Sequence, residues 1–257
     1  MERTPYRAVF FDLDGTLLPM DLGEFMQSYF GSLANYVAAR GVDPETFTAG
    51  LKAGIKAMAT HADGRLNADA YWEAFFGVVD RGVVDWTPLI NEFYEHDFGA
   101  IGANVTPDPN AARAVEALRS KGYPLVLATM PMFPLRAVEW RLTWAGVDPE
   151  AFLRITNYEN STSVKPALAY YAENLKAAGL EGHEVLMVGN NTKEDLACLG
   201  LGMDAYLVTD HLLDPVNFDL GTVKHSTMAE FAAWAEALPA CDNPARGIEP
   251  GPVAREA

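Results

Sequence analysis

An apolar run ending in two acids, VFFDLDGTLL from Val9 to Leu18, constrains this chain more than any other segment. Val9, Phe10 and Phe11 predict a short buried strand, and Gly15 and Thr16 the turn that closes it. Asp12 and Asp14 then fall just past the carboxyl edge of a strand, where open α/β sheets gather their ligands. An isolated Asp-Gly pair would read as an ordinary turn. Two carboxylates attached to a full hydrophobic run instead call for a compensating cation. Magnesium is the obvious one, a hard ion that prefers oxygen ligands and bridges protein carboxylate to phosphate.

The rest of the chain says what kind of sheet receives this strand. Leu22, Phe25, Met26, Tyr29, Phe30 and Leu33 recur at helical spacing. Further helices are predicted over Pro44–Thr60, Ala68–Asp80 and Thr87–Asp97, with no strand signal between them. Strand and helix then alternate. Strands are expected at Leu125–Ala128, Leu153–Thr156, Val185–Val188 and Ala205–Val208, with helices at Asn110–Lys121, Leu135–Ala145, Pro166–Ala178 and Lys193–Leu199. That order implies an α/β fold, a Rossmann-like parallel sheet covered by helices on both faces, with an all-helical insertion between its first two strands. A last helix, Met228–Leu238, opens with a capping box of Thr227 and Glu230. Past Pro239 the Pro- and Gly-rich tail has almost no apolar periodicity and is expected to be frayed. The domain reading is therefore a core of residues 1–20 and 101–240, a helical domain of 21–100, and a disordered tail of 241–257.

The segment DLDGTLL resembles the first motif of the haloacid dehalogenase-like hydrolase superfamily, and three further segments match its pattern in order: PLVLATM, SVKPALAYY and VLMVGNNTKEDL. The resemblance runs from about Tyr6 to Asp210. It implies that the helical insertion is a mobile cap over the active site, and that Asp12 is the nucleophile forming an aspartyl-phosphate. Asp14 would be the acid/base, a role that separates the family's phosphatases and phosphomutases from its dehalogenases, which lack an acid there. Thr129 would hold a phosphoryl oxygen, and Lys165 would stabilise negative charge on nucleophile and phosphoryl group. Magnesium would be held by Asp12, Asp14, Asn190 and Asp195.

The fourth segment departs from the family pattern, which has Gly-Asp followed by a second acid. This chain has Gly189-Asn190, and an amide offers magnesium an oxygen without a charge. Asp195 is the choice for the second acid, and spacing alone does not separate it from Glu194. Arg65, in the loop THADGRLN between two predicted helices, is a candidate to meet an anionic group of the substrate. The plainer reading makes it a solvated loop residue.

Composition narrows the partners. A formal charge of −16 argues against nucleic acid and anionic membrane surfaces, and leaves an anionic substrate to be drawn in by local positive charge. Two cysteines, Cys198 and Cys241, suggest neither a disulfide framework nor a zinc site. The five histidines show no ligand spacing. The first residues carry no apolar signal region, so a cytoplasmic location is expected. The expectation from these readings is a magnesium-dependent phosphatase acting on a small phosphorylated metabolite. Its rivals are a phosphomutase of the same superfamily and a binding or regulatory protein that has lost most turnover, a reading favoured only by Asn190.

Overall fold

The computed structural model describes residues 6–250 of the chain. Strand β1 (Ala8–Phe11) is entirely buried and is followed by a helical block. The block comprises α1 (Leu22–Ala38), α2 (Pro44–Thr60), α3 (Asn67–Phe76) and α4 (Trp86–Glu92). Local chemistry sets these boundaries. Asp21 and Asp43 accept hydrogen bonds from the first-turn amides of α1 and α2, and Pro44 occupies the first turn of α2, where its missing N–H is harmless. The fourth expected helix, Thr87–Asp97, is shorter than its periodicity suggests. After Glu92 the chain widens into a π turn (Phe93–Asp97) and then tightens into a 3-10 turn ending at Gly102.

The alternating portion then follows: α5 (Pro109–Ser120), β2 (Leu125–Leu127), α6 (Leu135–Trp144), β3 (Arg154–Ile155), α7 (Leu168–Ala178), β4 (Val185–Gly189), β5 (Asp204–Val208), β6 (Lys224–Ser226) and α8 (Met228–Ala237). Among the described residues all six strands are parallel, in the order β3-β2-β1-β4-β5-β6. The expected Rossmann-like sheet is thus present, with β1 at its centre between β2 and β4. Neighbouring residues of β1 point to opposite faces, so Phe11 joins one core and Phe10 the other. Phe11 packs edge-on against Phe152 and Phe231.

The tail departs from expectation. Ala245 and Ile248 are buried, the Ala245 amide donates to the Arg7 carbonyl at 3.0 Å, and the Glu249 amide donates to the Ala177 carbonyl at 3.0 Å. Residues 241–250 are therefore packed chain rather than frayed chain. Two isolated apolar anchors hold them without any periodicity. Residues 251–257, the remainder of that expectation, lie outside the described residues. Among the described residues no helix is long and apolar enough to cross a membrane.

Candidate active site

The carboxyl ends of β1, β2 and β4 converge at the sheet's centre, and each delivers one of the residues singled out from sequence. Asp12 follows β1, Thr129 follows β2 and Asn190 follows β4. Two glycines make this packing possible. Gly15 has φ +81°, and a Cβ there would run into the Asn190 amide, while a Cβ on Gly189 would run into the Asp195 carboxyl.

Lys165 arrives from the loop between β3 and α7 and binds two acids at once. Its Nζ donates to Asp12 Oδ1 at 2.8 Å and to Asp195 Oδ1 at 2.6 Å, and its side chain is only 1 % exposed. Burial works against the ammonium, but the charges of Asp12 and Asp195 outweigh it and hold the Lys165 pKa well above the usual lysine range. The other oxygen of Asp195 accepts the amides of Asn190 and Asn191, both at 2.9 Å. Both Asp195 oxygens are thus taken by protein donors. Its carboxylate fixes Lys165 and the turn after β4. Glu194, one position earlier, lines the same cavity beside these acids, and burial raises its pKa.

Asp14 faces a different cation. Its Oδ2 is paired with the guanidinium of Arg141 on α6, whose side chain is 1 % exposed, while its Oδ1 is buried without a partner. Burial is the largest influence on the Asp14 carboxyl and raises its pKa. Arg141 and Lys165 oppose that rise and the charge of Asp12 adds to it. A carboxyl held above its ordinary value is suited to carrying a proton. Arg141 was missed in reading the sequence, although a signal existed. It sits at helical spacing on the buried face of α6, among Ala137, Val138 and Leu142, where a charged residue needs a reason. Its Nη2 is buried and unpartnered as well.

The remaining expected residues divide. Thr129 is fully buried; its carbonyl accepts the hydroxyls of Thr156 and Tyr170, both at 2.9 Å, and its own hydroxyl has no partner. Thr16 Oγ1 lies 3.1 Å from Asp12 Oδ2 and 3.2 Å from Asn190 Oδ1, so these two oxygens share one neighbourhood. Arg65 does not join the site. It pairs with Asp63 and Glu73 at the surface and is absent from the cavity lining, which returns it to the solvated-loop reading.

Above the acids lies a cavity of about 280 Å³ between the sheet's edge and the helical block. Asp12, Asp14, Arg141, Asn190 and Asp195 form its floor, and α1 to α4 supply most of its walls. The block is pinned to the core beside this cavity by Asn67. The Asn67 side-chain amide donates to the carbonyls of Pro131 at 3.1 Å and Ser163 at 3.2 Å, and its backbone amide donates to the Ser161 carbonyl at 2.8 Å.

Comparison with known proteins agrees with this architecture. A family model described as haloacid dehalogenase-like hydrolase matches residues 6–199. The chain belongs to that family, and it is a hydrolase. No curated protein matches the sequence well enough to count as a relative. Among solved structures, a predicted phosphoglycolate phosphatase from Haemophilus somnus 129PT is similar with a TM-score of 0.53 at 18 % identity, covering 90 % of this chain and 98 % of its own. CbbY from Rhodobacter sphaeroides, in complex with phosphate, gives 0.54 at 20 % identity over 88 % and 96 %. The defluorinating L-2-haloacid dehalogenase Rha0230 gives 0.55 at 16 % identity over 92 % and 99 %. At these identities the likeness establishes the fold, which phosphatases and dehalogenases share.

Proposed function

We propose that this hydrolase is a phosphatase acting on a small phosphate ester through an aspartyl-phosphate on Asp12. The observation that carries the reading is Asp14: a second acid opens into the same cavity as the nucleophile, its pKa raised by burial and its carboxylate paired with Arg141. Displacement of a halide needs no proton for the leaving group, whereas departure of an alkoxide does. In the proposed reaction Asp12 attacks phosphorus, the bond from phosphorus to the ester oxygen breaks, and Asp14 protonates that oxygen. Asp14 then takes a proton from water as the water attacks phosphorus, which frees phosphate and restores Asp12. Lys165 and Arg141 supply the positive charge that an anionic substrate requires in a chain of net charge −16. A phosphoryl oxygen would complete the missing hydrogen bond of the Thr129 hydroxyl.

The oxygen donors of this site fit magnesium. Among the described residues no three Asp, Glu, His or Cys side chains converge as a ready-made cage. The oxygens of Asp12 and Asn190 that share Thr16 are the ones that would hold the ion, with substrate phosphate and water completing its shell. When bound it would neutralise charge on the phosphoryl oxygens. The helical block, closed over the acids, is read as a cap that excludes bulk water during the reaction.

The test is product release from a panel of small phosphate esters and 2-haloacids, with and without magnesium, for the wild type and Asp12→Asn. Phosphate release lost in Asp12→Asn is the expected result. Halide release from the acids without phosphate release from any ester would overturn the phosphatase reading.

A further inference from the structure

Everything charged in the cavity is at its floor. Above Asp12, Asp14, Arg141, Glu194 and Asp195, the lining is aliphatic, thioether and aromatic: Leu33 from α1, Leu51 and Ile55 from α2, Trp72 from α3, and Met132 and Phe133 from the loop after β2 are typical of it. Among the described residues no charged side chain lines these walls. The polar groups that reach them are few, chiefly the hydroxyls of Tyr29, Tyr71, Tyr94 and Tyr158. The hydroxyls of Tyr29 and Tyr94 lie 2.7 Å apart in a buried hydrogen bond. Burial pushes both phenols up, Tyr29 to about 12, so both remain neutral and protonated.

A leaving group in this space meets mostly carbon. The hydroxyls of a sugar or glycerol would leave water for a wall with few partners, whereas an apolar body would exchange water for close packing. The volume, about 280 Å³, lies at the lower end of ligand pockets and suits a single ring or a short branched chain better than a lipid tail.

We propose that the substrate is a phosphate ester of a small apolar alcohol, its ring or branched chain held between α1, α2 and Phe133, and that polyol phosphates are poor substrates. The inference rests on the phosphatase reading for its phosphate and on the cavity walls for its alcohol. Each added apolar group that fits such a wall is worth roughly 10- to 200-fold in specificity.

Two measurements separate these supports. The first compares kcat/KM for benzyl phosphate, cyclohexylmethyl phosphate, glycerol 3-phosphate and glucose 6-phosphate, all esters of primary alcohols with comparable leaving-group chemistry. The two apolar esters should be favoured by roughly 10- to 200-fold, and Ile55→Asn should remove most of that preference. Equal or faster turnover of the polyol esters overturns the inference and leaves the phosphatase reading standing. The second is calorimetric binding of benzylphosphonate against methylphosphonate to the wild-type protein, which needs no turnover. Tighter binding of benzylphosphonate without hydrolysis of any ester supports the apolar site and defeats the phosphatase reading. Equal binding of the two phosphonates overturns the apolar site, whatever the esters do.

Discussion

The floor and the walls of the cavity are built by opposite means. The floor gathers Asp12, Asp14, Asp195 and Arg141, with Lys165 bound to two of them, in a space where none of these charges could stand alone. Each is tolerated because a partner of opposite sign is within hydrogen-bond reach. The walls belong to helices joined by aromatic stacking and edge contacts, such as Phe47 with Trp86 and Phe75 with Trp86. The difference teaches where substitutions should hurt chemistry and where they should hurt only stability. Floor residues are geometrically over-determined by charge, while wall residues are chosen for shape and apolarity.

The comparison breaks most readily at Lys165. Lys165→Met leaves Asp12 and Asp195 buried without their common cation, and unfolding in urea should show a loss of about 3–5 kcal/mol together with loss of turnover. Adding Asp195→Asn to that variant should recover part of the stability and none of the activity. A Lys165→Met protein as stable as the wild type would mean that the floor does not depend on this pairing. Phe75→Ala is the matching probe of the helical block, since Phe75 is fully buried and does not line the cavity. It should also lose about 3–5 kcal/mol, yet kcat measured well below its melting temperature should stay near the wild-type value.

Smaller effects sharpen the account of the floor. Arg141→Gln removes the partner of Asp14 and should lower kcat roughly a hundredfold, a decrease that steady-state kinetics would resolve and that an idle structural arginine would not produce. Asn190→Asp should lower the magnesium concentration needed for half-maximal rate, because it restores a charge next to Asp12. An unchanged magnesium dependence would remove Asn190 from the ligand set. The smallest change lies far from both regions. Thr227→Ala deletes the cap of α8 and should cost about 1 kcal/mol in thermal unfolding, with kinetics untouched.

Much of the fold could be read from the chain because its elements announce themselves by period and punctuation. Helix α2 occupies the residues its pattern predicted, Pro44 to Thr60, since Asp43 and Pro44 mark its start chemically. The capping box of Thr227 and Glu230 forms as expected. Strand β6 escaped notice because Lys224, His225 and Ser226 make a short polar edge strand with no apolar signal. The expected helix over Lys193–Leu199 is instead a 3-10 turn from Asp195 to Leu201. Asn191 holds its start by accepting the amides of Lys193 and Glu194, and Gly202 ends it with a positive φ.

The site was legible where a residue stands at the end of a strand, and less so where long side chains arrive from elsewhere. Asp12, Asp14, Thr129 and Asn190 are placed by the sheet itself, whose parallel order brings β1, β2 and β4 together. The role of Asp195 depended on which donors its two oxygens would meet, and spacing carries no such information. Arg141 lies 127 residues from its partner Asp14, so only the packing of α6 against the first motif reveals the pair. Arg65 shows the reverse: it lies in a loop that sequence could place near the cavity, but two nearer acids claim it.

The central claim is the covalent intermediate on Asp12, and it is tested most directly by trapping it. Asp14→Asn should still let Asp12 displace the good leaving group of para-nitrophenyl phosphate, but should lack the base that activates water for the second step. Rapid mixing followed by an acid quench should then show one equivalent of nitrophenol per protein and a phosphoryl group on the peptide containing Asp12. Phosphate appearing in solution as fast as nitrophenol, with that peptide never modified, would contradict the account.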